Sequence, residues 1–311
     1  MRAFILAILL CLLSPSIARA DYAWIPDKYT LQIRGGMDYL ATGSNFANDW
    51  VAEPMTYLGQ NSTLRDFTFW VKPEFGLEEG WVAGFYMPVT TAQVTRTSTE
   101  AFQAGGTGLG DMRLFLKWRA SELPLFVLET ELKFPTGSTA VTTNADLAVG
   151  EGNMDIHLKG HFGYQVNQFY FSATPGLQVR TGGYSSAATL DLVMQAFIKR
   201  LYIKLSVNSR LSFSAQALPG GNLNGQNVSG SGGSYARLAG SPSGISGGGA
   251  LGLVLTKQFR MEAGVQRAIA GARYPEFTSF TLNLLSTFDL ASPDYRPKVR
   301  EVPFENETLE Y

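Results

Sequence analysis

The chain has 311 residues, 45% of them hydrophobic and 16% charged, and is rich in glycine (33), phenylalanine (20) and tyrosine (13). A formal net charge of −1 argues against nucleic-acid binding, and one cysteine excludes a disulfide framework. The glycine and aromatic bias suits strands and turns better than helices.

Residues 1–20 combine Arg2, an apolar run from Ala3 to Leu13, Pro15 and Ala18-Arg19-Ala20, which predicts a secretory signal peptide cleaved before Asp21. The run is shorter than the roughly 20 residues a spanning helix needs, and Leu10 before Cys11 speaks against lipoprotein processing. Removing 20 of the 311 residues leaves 291 with no cysteine, and without Arg2 and Arg19 the net charge becomes −3. An exported chain of this kind must be held by burial or by a closed hydrogen-bond network. No later stretch is apolar for long enough to cross a bilayer as a helix, so a membrane location means crossing with strands.

Strands are predicted by alternation with period two. Leu31, Ile33, Met37 and Tyr39 alternate with Thr30, Gln32, Arg34 and Asp38. After a polar loop of some two dozen residues, Phe67, Phe69, Val71, Phe75 and Leu77 alternate with Asp66, Thr68, Trp70, Lys72 and Glu74. A tight turn at Glu78 to Gly80 leads to Trp81, Ala83, Phe85, Met87 and Val89, and a second polar loop spans Thr91 to Thr107. A hairpin follows, with Met112, Leu114, Leu116 and Trp118 on one face going down and Phe126, Leu128 and Leu132 coming back. Its other face carries Asp111, Arg113, Phe115, Lys117 and Arg119, then Glu129, Glu131 and Lys133. If Ser121 to Pro124 forms the turn, Arg113 faces Glu131, Asp111 faces Lys133, and Lys117 and Arg119 lie diagonal to Glu129.

Beyond a loop to Gly152, Met154, Ile156, Leu158 and Phe162 oppose Asp155, His157, Lys159 and His161, and the chain turns at Val166 and Asn167. Phe169, Phe171, Leu177 and Val179 oppose Ser172, Thr174, Gln178 and Arg180. Leu190, Leu192, Met194 and Ile198 oppose Thr189, Asp191, Gln195 and Lys199; after Arg200, Leu201 to Leu211 oppose Lys204, Ser206, Asn208 and Arg210. Residues Ala215 to Ile245 read as a Gly/Ser-rich loop. Leu251, Leu253 and Leu255 form the next row, Phe259, Met261 and Val265 oppose Arg260, Glu262 and Gln266, and Phe280 to Leu290 close the series.

Twelve strands result, with connections alternating long and short. An all-β, transmembrane, antiparallel up-and-down barrel of about 12 strands is therefore expected over residues 21–290, followed by a charged C-terminal tail over residues 291–311. A closed barrel also removes the edges such hairpins would expose. With the N-terminus and tail periplasmic, the short turns are periplasmic and the longer loops extracellular, placing the chain in the outer membrane of a Gram-negative envelope, with outer-membrane lipid and the assembly machinery as partners.

GLGDMRLFLKW (Gly108 to Trp118) is echoed 42 residues on by GEGNMDIHLKG (Gly150 to Gly160), with both glycines, the Met and the Lys in register. Hairpin duplication accounts for the offset. These two motifs, with LKFPTG between them, resemble the outer-membrane barrels of the meta-pathway phenol degradation family, over roughly Gly80 to Gly264. The resemblance implies an outer-membrane location and passage of small, often aromatic, molecules. It supplies no catalytic residues. Continuation of the chain past Phe288 departs from the family pattern.

The ionic row is the candidate site: Asp111, Arg113, Lys117, Arg119, Glu129, Glu131 and Lys133 on the hairpin, Asp155, His157, Lys159 and His161 on the next strand, and Lys204, Arg210, Arg260 and Glu262 beyond. Opposite charges at cross-strand distance would lace the lumen wall. The two histidines, four apart on a strand, stand about 13 Å from one another, so no metal site is expected, and no cofactor. A barrel lipase would need a histidine on the lipid-facing row, where there is none, so enzymatic activity is not expected. The Gly-rich runs Gly105–Gly110 and Gly247–Gly252 precede no helix and predict no phosphate cradle. The expected function is a porin-like channel or transporter for small molecules, aromatic or hydrophobic solutes among them, through a polar lumen that itself argues against a simple hydrophobic bore. A non-conducting structural or surface-interaction barrel is the alternative.

Overall fold

The computed structural model describes residues 25–46, 51–57, 60–122, 125–137, 146–181, 184–213, 243–256, 258–272 and 274–290. The predicted signal peptide over 1–20, the Gly/Ser-rich stretch from 214 to 242 and the predicted tail over 291–311 lie outside these residues. The strands are β1 (Thr30–Phe46), β2 (Ala52–Pro54), β3 (Thr56–Tyr57), β4 (Gln60–Glu78), β5 (Trp81–Arg96), β6 (Phe102–Leu109), β7 (Met112–Glu122), β8 (Leu125–Phe134), β9 (Asp155–Val166), β10 (Phe169–Arg180), β11 (Ala187–Ile198), β12 (Leu201–Ser212), β13 (Ser243–Val254), β14 (Phe259–Ala272) and β15 (Tyr274–Asp289). β6 and β7 both pair with β5 and are two halves of one wall strand, interrupted at Gly110 and Asp111. With β2 and β3 as short additions at the rim, the wall has twelve strands.

The wall closes because β1 pairs on both sides: with β15 from Thr30↔Asp289 to Phe46↔Tyr274, and with β4 from Leu31↔Phe75 to Thr42↔Leu64. Around the closed path each wall strand therefore has a neighbour on both sides, the pairing a hydrocarbon surrounding demands. Alternation divides the side chains between two environments. Leu114, Leu158 and Leu205 are 47%, 48% and 49% exposed on the outside, whereas Lys117, Glu129 and His161 are 3%, 4% and 3% exposed within. An apolar exterior around a charged interior is the reverse of a water-soluble fold, and it is stable only where the exterior meets lipid. Trp81 and Trp118 stack at 5.9 Å on the outer face near the short-turn end, as an interfacial aromatic belt would.

Where alternation stops, the strands continue. The predicted polar loops contain the outer ends of β1, β4, β5 and β6, leaving residues 97–101 as the second connection. β4 runs for 19 residues, against the 9–11 or so that cross a bilayer. Above the lipid an apolar outer row is no longer required, while Thr-rich sequence keeps its preference for extended backbone. β13 likewise starts at Ser243, inside the predicted loop.

The register of the β7–β8 hairpin differs from that predicted by two residues. Glu122 pairs with Leu125, so the connection is only two residues long, and a bulge between Arg119 and Ser121 sets the upper register. Arg113 then lies opposite Lys133, Lys117 opposite Glu129 and Phe115 opposite Glu131. A shift of two preserves the faces, so the charges still point inward. Two other short turns rest on left-handed residues, Asn167 (φ 51°) after β9 and Lys199 (φ 57°) after β11, and the β4–β5 turn uses Gly80 (φ 83°). At the same end the segment before β1 enters the barrel: Ile25 is buried against Val82 and Val127, and a Cβ on Gly76 would lie 2.0 Å from the Asp27 carbonyl oxygen.

Gly84 of β5 supports the interior packing, since a Cβ there would lie 2.4 Å from both the Phe115 ring and the Pro73 carbonyl oxygen. Replacing Gly84 with Val is expected to lower stability by about 1–3 kcal/mol through overpacking. Urea unfolding of the barrel in lipid vesicles measures this, and an unchanged midpoint would show that the interior is loosely packed.

Candidate functional site

The lumen is organised by carboxylates that each hold several cations. Glu129 of β8 accepts from Lys159 Nζ at 2.8 Å and lies 3.1 Å from His161 Nε2 and 3.8 Å from Lys117 Nζ. Lys117 reaches Glu74 of β4 at 2.8 Å, and Glu74 also takes Lys72 at 3.2 Å. β5 lies between β4 and β7, and its Gly84, opposite Glu74, leaves the space that the Phe115 ring fills. Glu131 joins Lys159 at 2.8 Å to Arg113 at 3.3 Å. The Phe115 ring carries Lys72 Nζ 4.4 Å and Lys117 Nζ 5.2 Å from its centroid. A second group sits across the lumen, where Glu262 accepts from Lys204 at 2.5 Å, Tyr202 at 3.1 Å and Asn283 at 3.3 Å. With Arg34 and Arg260 these residues line a cavity of about 20 Å³, room for about one water.

All fifteen predicted site residues lie on the inner row. Asp111, Lys133 and Asp155 belong to a third group at the long-loop end, while Arg119 stands at the short-turn end, where its N–H donates to the Gly80 oxygen at 2.8 Å. His157 bonds Thr189 at 3.1 Å and His161 bonds Thr174 at 3.1 Å, so the two histidines serve separate parts of the wall. Lys72, Glu74 and Arg180 join the site from rows that alternation identifies, and Glu151 joins it from a loop, where no period marks it.

Glu151 is the centre of the third group. Its carboxylate accepts from Arg180 Nη2 at 2.6 Å and also pairs with Lys133. Its N–H donates to Asp111 Oδ2 at 2.7 Å, and its carbonyl accepts from Tyr184 Oη at 3.0 Å. Asp111 also accepts from the Gly137 N–H at 3.1 Å, and Asp155 pairs with Lys133 at 2.9 Å and Arg180 Nε at 3.3 Å. Burial opposes ionisation of Glu151, but the Lys133 and Arg180 charges outweigh it and hold the carboxyl below the usual glutamate range.

These contacts fasten residues 146–153 inside the mouth. Leu147 N–H donates to Gly105 O at 3.0 Å, and the Leu147 side chain joins Met55, Leu64, Ala92, Val94 and Ala104 in a buried apolar cluster on the inner face. The segment can approach because β6 presents glycines: a Cβ on Gly106 would lie 2.0 Å from Leu147 O, and one on Gly108 3.3 Å from Val149 Cγ2. Gly137 and Gly150 are equally close, a Cβ on Gly137 falling 2.5 Å from the Gly150 Cα. Gly106 and Gly108 of β6 thus form a seat for an inward-folded loop, in which Gly150 of the second echoed motif closes on Gly137.

Fold and lumen together define the class: a twelve-stranded β-barrel of the outer-membrane type with an ionic interior. Among solved structures the chain resembles an outer membrane channel from Pseudomonas putida F1, with a TM-score of 0.66 and 12% identity over 88% of this chain and 100% of that one. It also resembles the β domain of the Bordetella autotransporter Brka, with a TM-score of 0.50 and 12% identity over 84% of this chain and 100% of that one. No family model and no curated protein matches the sequence. At such identities the likeness is one of fold.

Replacing Glu129 with Ala takes one partner each from Lys117, Lys159 and His161, which keep Glu74, Glu131 and Thr174, and is expected to cost about 1–3 kcal/mol. A loss below about 1 kcal/mol in vesicle unfolding would mean that water already screens these groups. Protonation of Glu151 provides a second check. Because its folded-state pKa is depressed, its contribution is complete above the ordinary glutamate value of about 4.3 and falls away as pH drops through the lower folded-state value. Hydrogen-exchange protection of the Leu147 amide should decline on acidification below that point, and should be weaker and less acid-dependent in Glu151→Gln. Equal profiles in the two proteins would remove Glu151 from the fastening.

Proposed function

We propose that the chain is an outer-membrane channel for small molecules, exported by the signal peptide at residues 1–20 and stoppered at its extracellular mouth by residues 146–153. In this reading the short turns and the tail over 291–311 are periplasmic, and the surrounding outer-membrane lipid and the assembly machinery are its partners. The observation that carries the proposal is the construction of the mouth. The ionic lumen wall is closed by a separate backbone segment, seated on glycines and fastened through Glu151, rather than by bulky side chains of the wall. The outer membrane channel of similar fold supports the assignment. The sequence resemblance to the meta-pathway phenol degradation family adds small aromatic solutes as the substrate class.

A non-conducting structural or surface-interaction barrel is the second reading, favoured by how deeply Glu74, Lys117, Glu129 and His161 are buried within the lumen. Planar-bilayer recording separates the two. The channel reading predicts discrete openings by the purified protein, made more frequent by Gly106→Val, whose side chain would push Leu147 from its seat. A folded, heat-modifiable barrel that passes no current in either form would establish the structural reading instead.

A further inference from the structure

The lumen changes character at its short-turn end, where the charged rows give way to inward apolar side chains. Val82 of β5, Val127 of β8, Tyr170 of β10 and Val254 of β13 are all buried there. They form one contiguous arc, because Leu125 packs against both the Val82 and Val127 cluster and Tyr170, while Phe197 packs against both Tyr170 and the pair Tyr202 and Val254. Glycines make room for the two tyrosine rings. A Cβ on Gly163 would fall 2.3 Å from Tyr170 Oη, and one on Gly252 1.9 Å from Tyr202 Cζ.

Ile25, the fifth residue after the predicted cleavage site before Asp21, inserts into this arc and is 1% exposed against Val82 and Val127. The foot of β1 directs it there. Tyr29 is left-handed (φ 62°), its N–H donates to Gly76 O at 2.8 Å, and Thr30 N–H donates to Asp27 O at 3.0 Å, so the chain before β1 doubles back into the lumen. Gly76 leaves the space it needs, since a Cβ there would lie 2.0 Å from Asp27 O and 3.1 Å from Pro26 O. The Lys28 pair with Glu78, at 2.7 Å, is exposed and adds little. One apolar side chain and a few backbone contacts hold the segment, against full ladders in the wall, which puts it among the parts that open most readily. We propose that residues 25–28 are an inner gate: Ile25 stoppers an apolar constriction at the short-turn end, and the lumen conducts when this segment withdraws. An apolar constriction excludes water and with it hydrated solutes. The gate rests on the channel reading above and adds to it a second closure, in series with residues 146–153 and at the opposite end.

Cysteine labelling and planar-bilayer recording of the full-length barrel test this together. A charged maleimide should modify Ile25→Cys at least about tenfold more slowly than Glu79→Cys on the exposed short turn, because reaction at 25 must wait for the segment to open. Adding Gly76→Val to Ile25→Cys should bring the two rates within about twofold, since the new side chain displaces Asp27 from its seat. In the bilayer, Gly76→Val and Ile25→Asp, whose carboxylate is costly to bury in an apolar arc, should each make openings several times more frequent. Heat-modifiable mobility confirms that each variant is folded. Labelling of Ile25→Cys as fast as the control, no acceleration by Gly76→Val, or unchanged opening frequency in the folded variants would each overturn the gate. A barrel that conducts but is indifferent to both substitutions refutes the gate alone. A barrel silent in every form refutes the channel and the gate with it, while the labelling still reports whether Ile25 is seated.

Discussion

The structure depends on one carboxylate more than on any other group. Glu129 gathers Lys117, Lys159 and His161 from the strands on either side of β8, and through Lys117 the contact extends to Glu74 of β4. A barrel in lipid has no apolar core to fix how its strands slide past one another. The ion lattice does this instead, because a slip of one residue would turn these charges toward hydrocarbon, at about 2–4 kcal/mol for each Lys or Arg near the midplane. Removing Glu129 would take a partner from three groups at once, so the loss spreads over three strands. The lattice also narrows the lumen at mid-height, which gives the mouth its importance.

At the mouth the same chemistry is used differently. Lys133 and Arg180 belong to the wall, but the carboxylate they share comes from residue 151, in the connection between β8 and β9. β8 ends at Phe134, while β5 and β6 continue upward to Arg96 and from Phe102. The wall is therefore lower here, and the connection folds inward beside the glycines of β6. An apolar cluster around Leu147 completes the seal. The segment is thus held by a few polar contacts and a small buried surface, a combination far weaker than the wall's own backbone ladders.

Much of this was legible in the residues. Alternation located all twelve wall strands and assigned Asp111, Arg113, Lys117, Glu129 and their neighbours to the inner face, because lipid on one side and charge on the other leave period two no freedom. The hairpin register differs by two from the one the sequence suggests, since Ser121 and Glu122 are polar enough to resemble a turn and alternation is blind to an even shift. Strand ends above the lipid look like loops in the sequence for a related reason: Thr91 to Thr107 need no apolar row. The Gly105–Gly110 run had no visible purpose without its partner. Its role emerges only from the approach of Leu147 and Val149, some forty residues on in the chain, which no local pattern records. Glu151 was invisible for the same reason, although the echoed GEG motif pointed at its position.

The central claim, that residues 146–153 close a conducting barrel, is tested most directly by fastening them covalently. Cys11 is the sole cysteine and lies in the predicted signal peptide, so an introduced pair would react alone. Gly108→Cys with Val149→Cys suits the geometry, since a Cβ on Gly108 falls 3.3 Å from Val149 Cγ2. In a planar bilayer the oxidised pair should suppress openings, and adding a reductant should restore them. Equal current before and after reduction, with the disulfide confirmed by mass, would contradict the account.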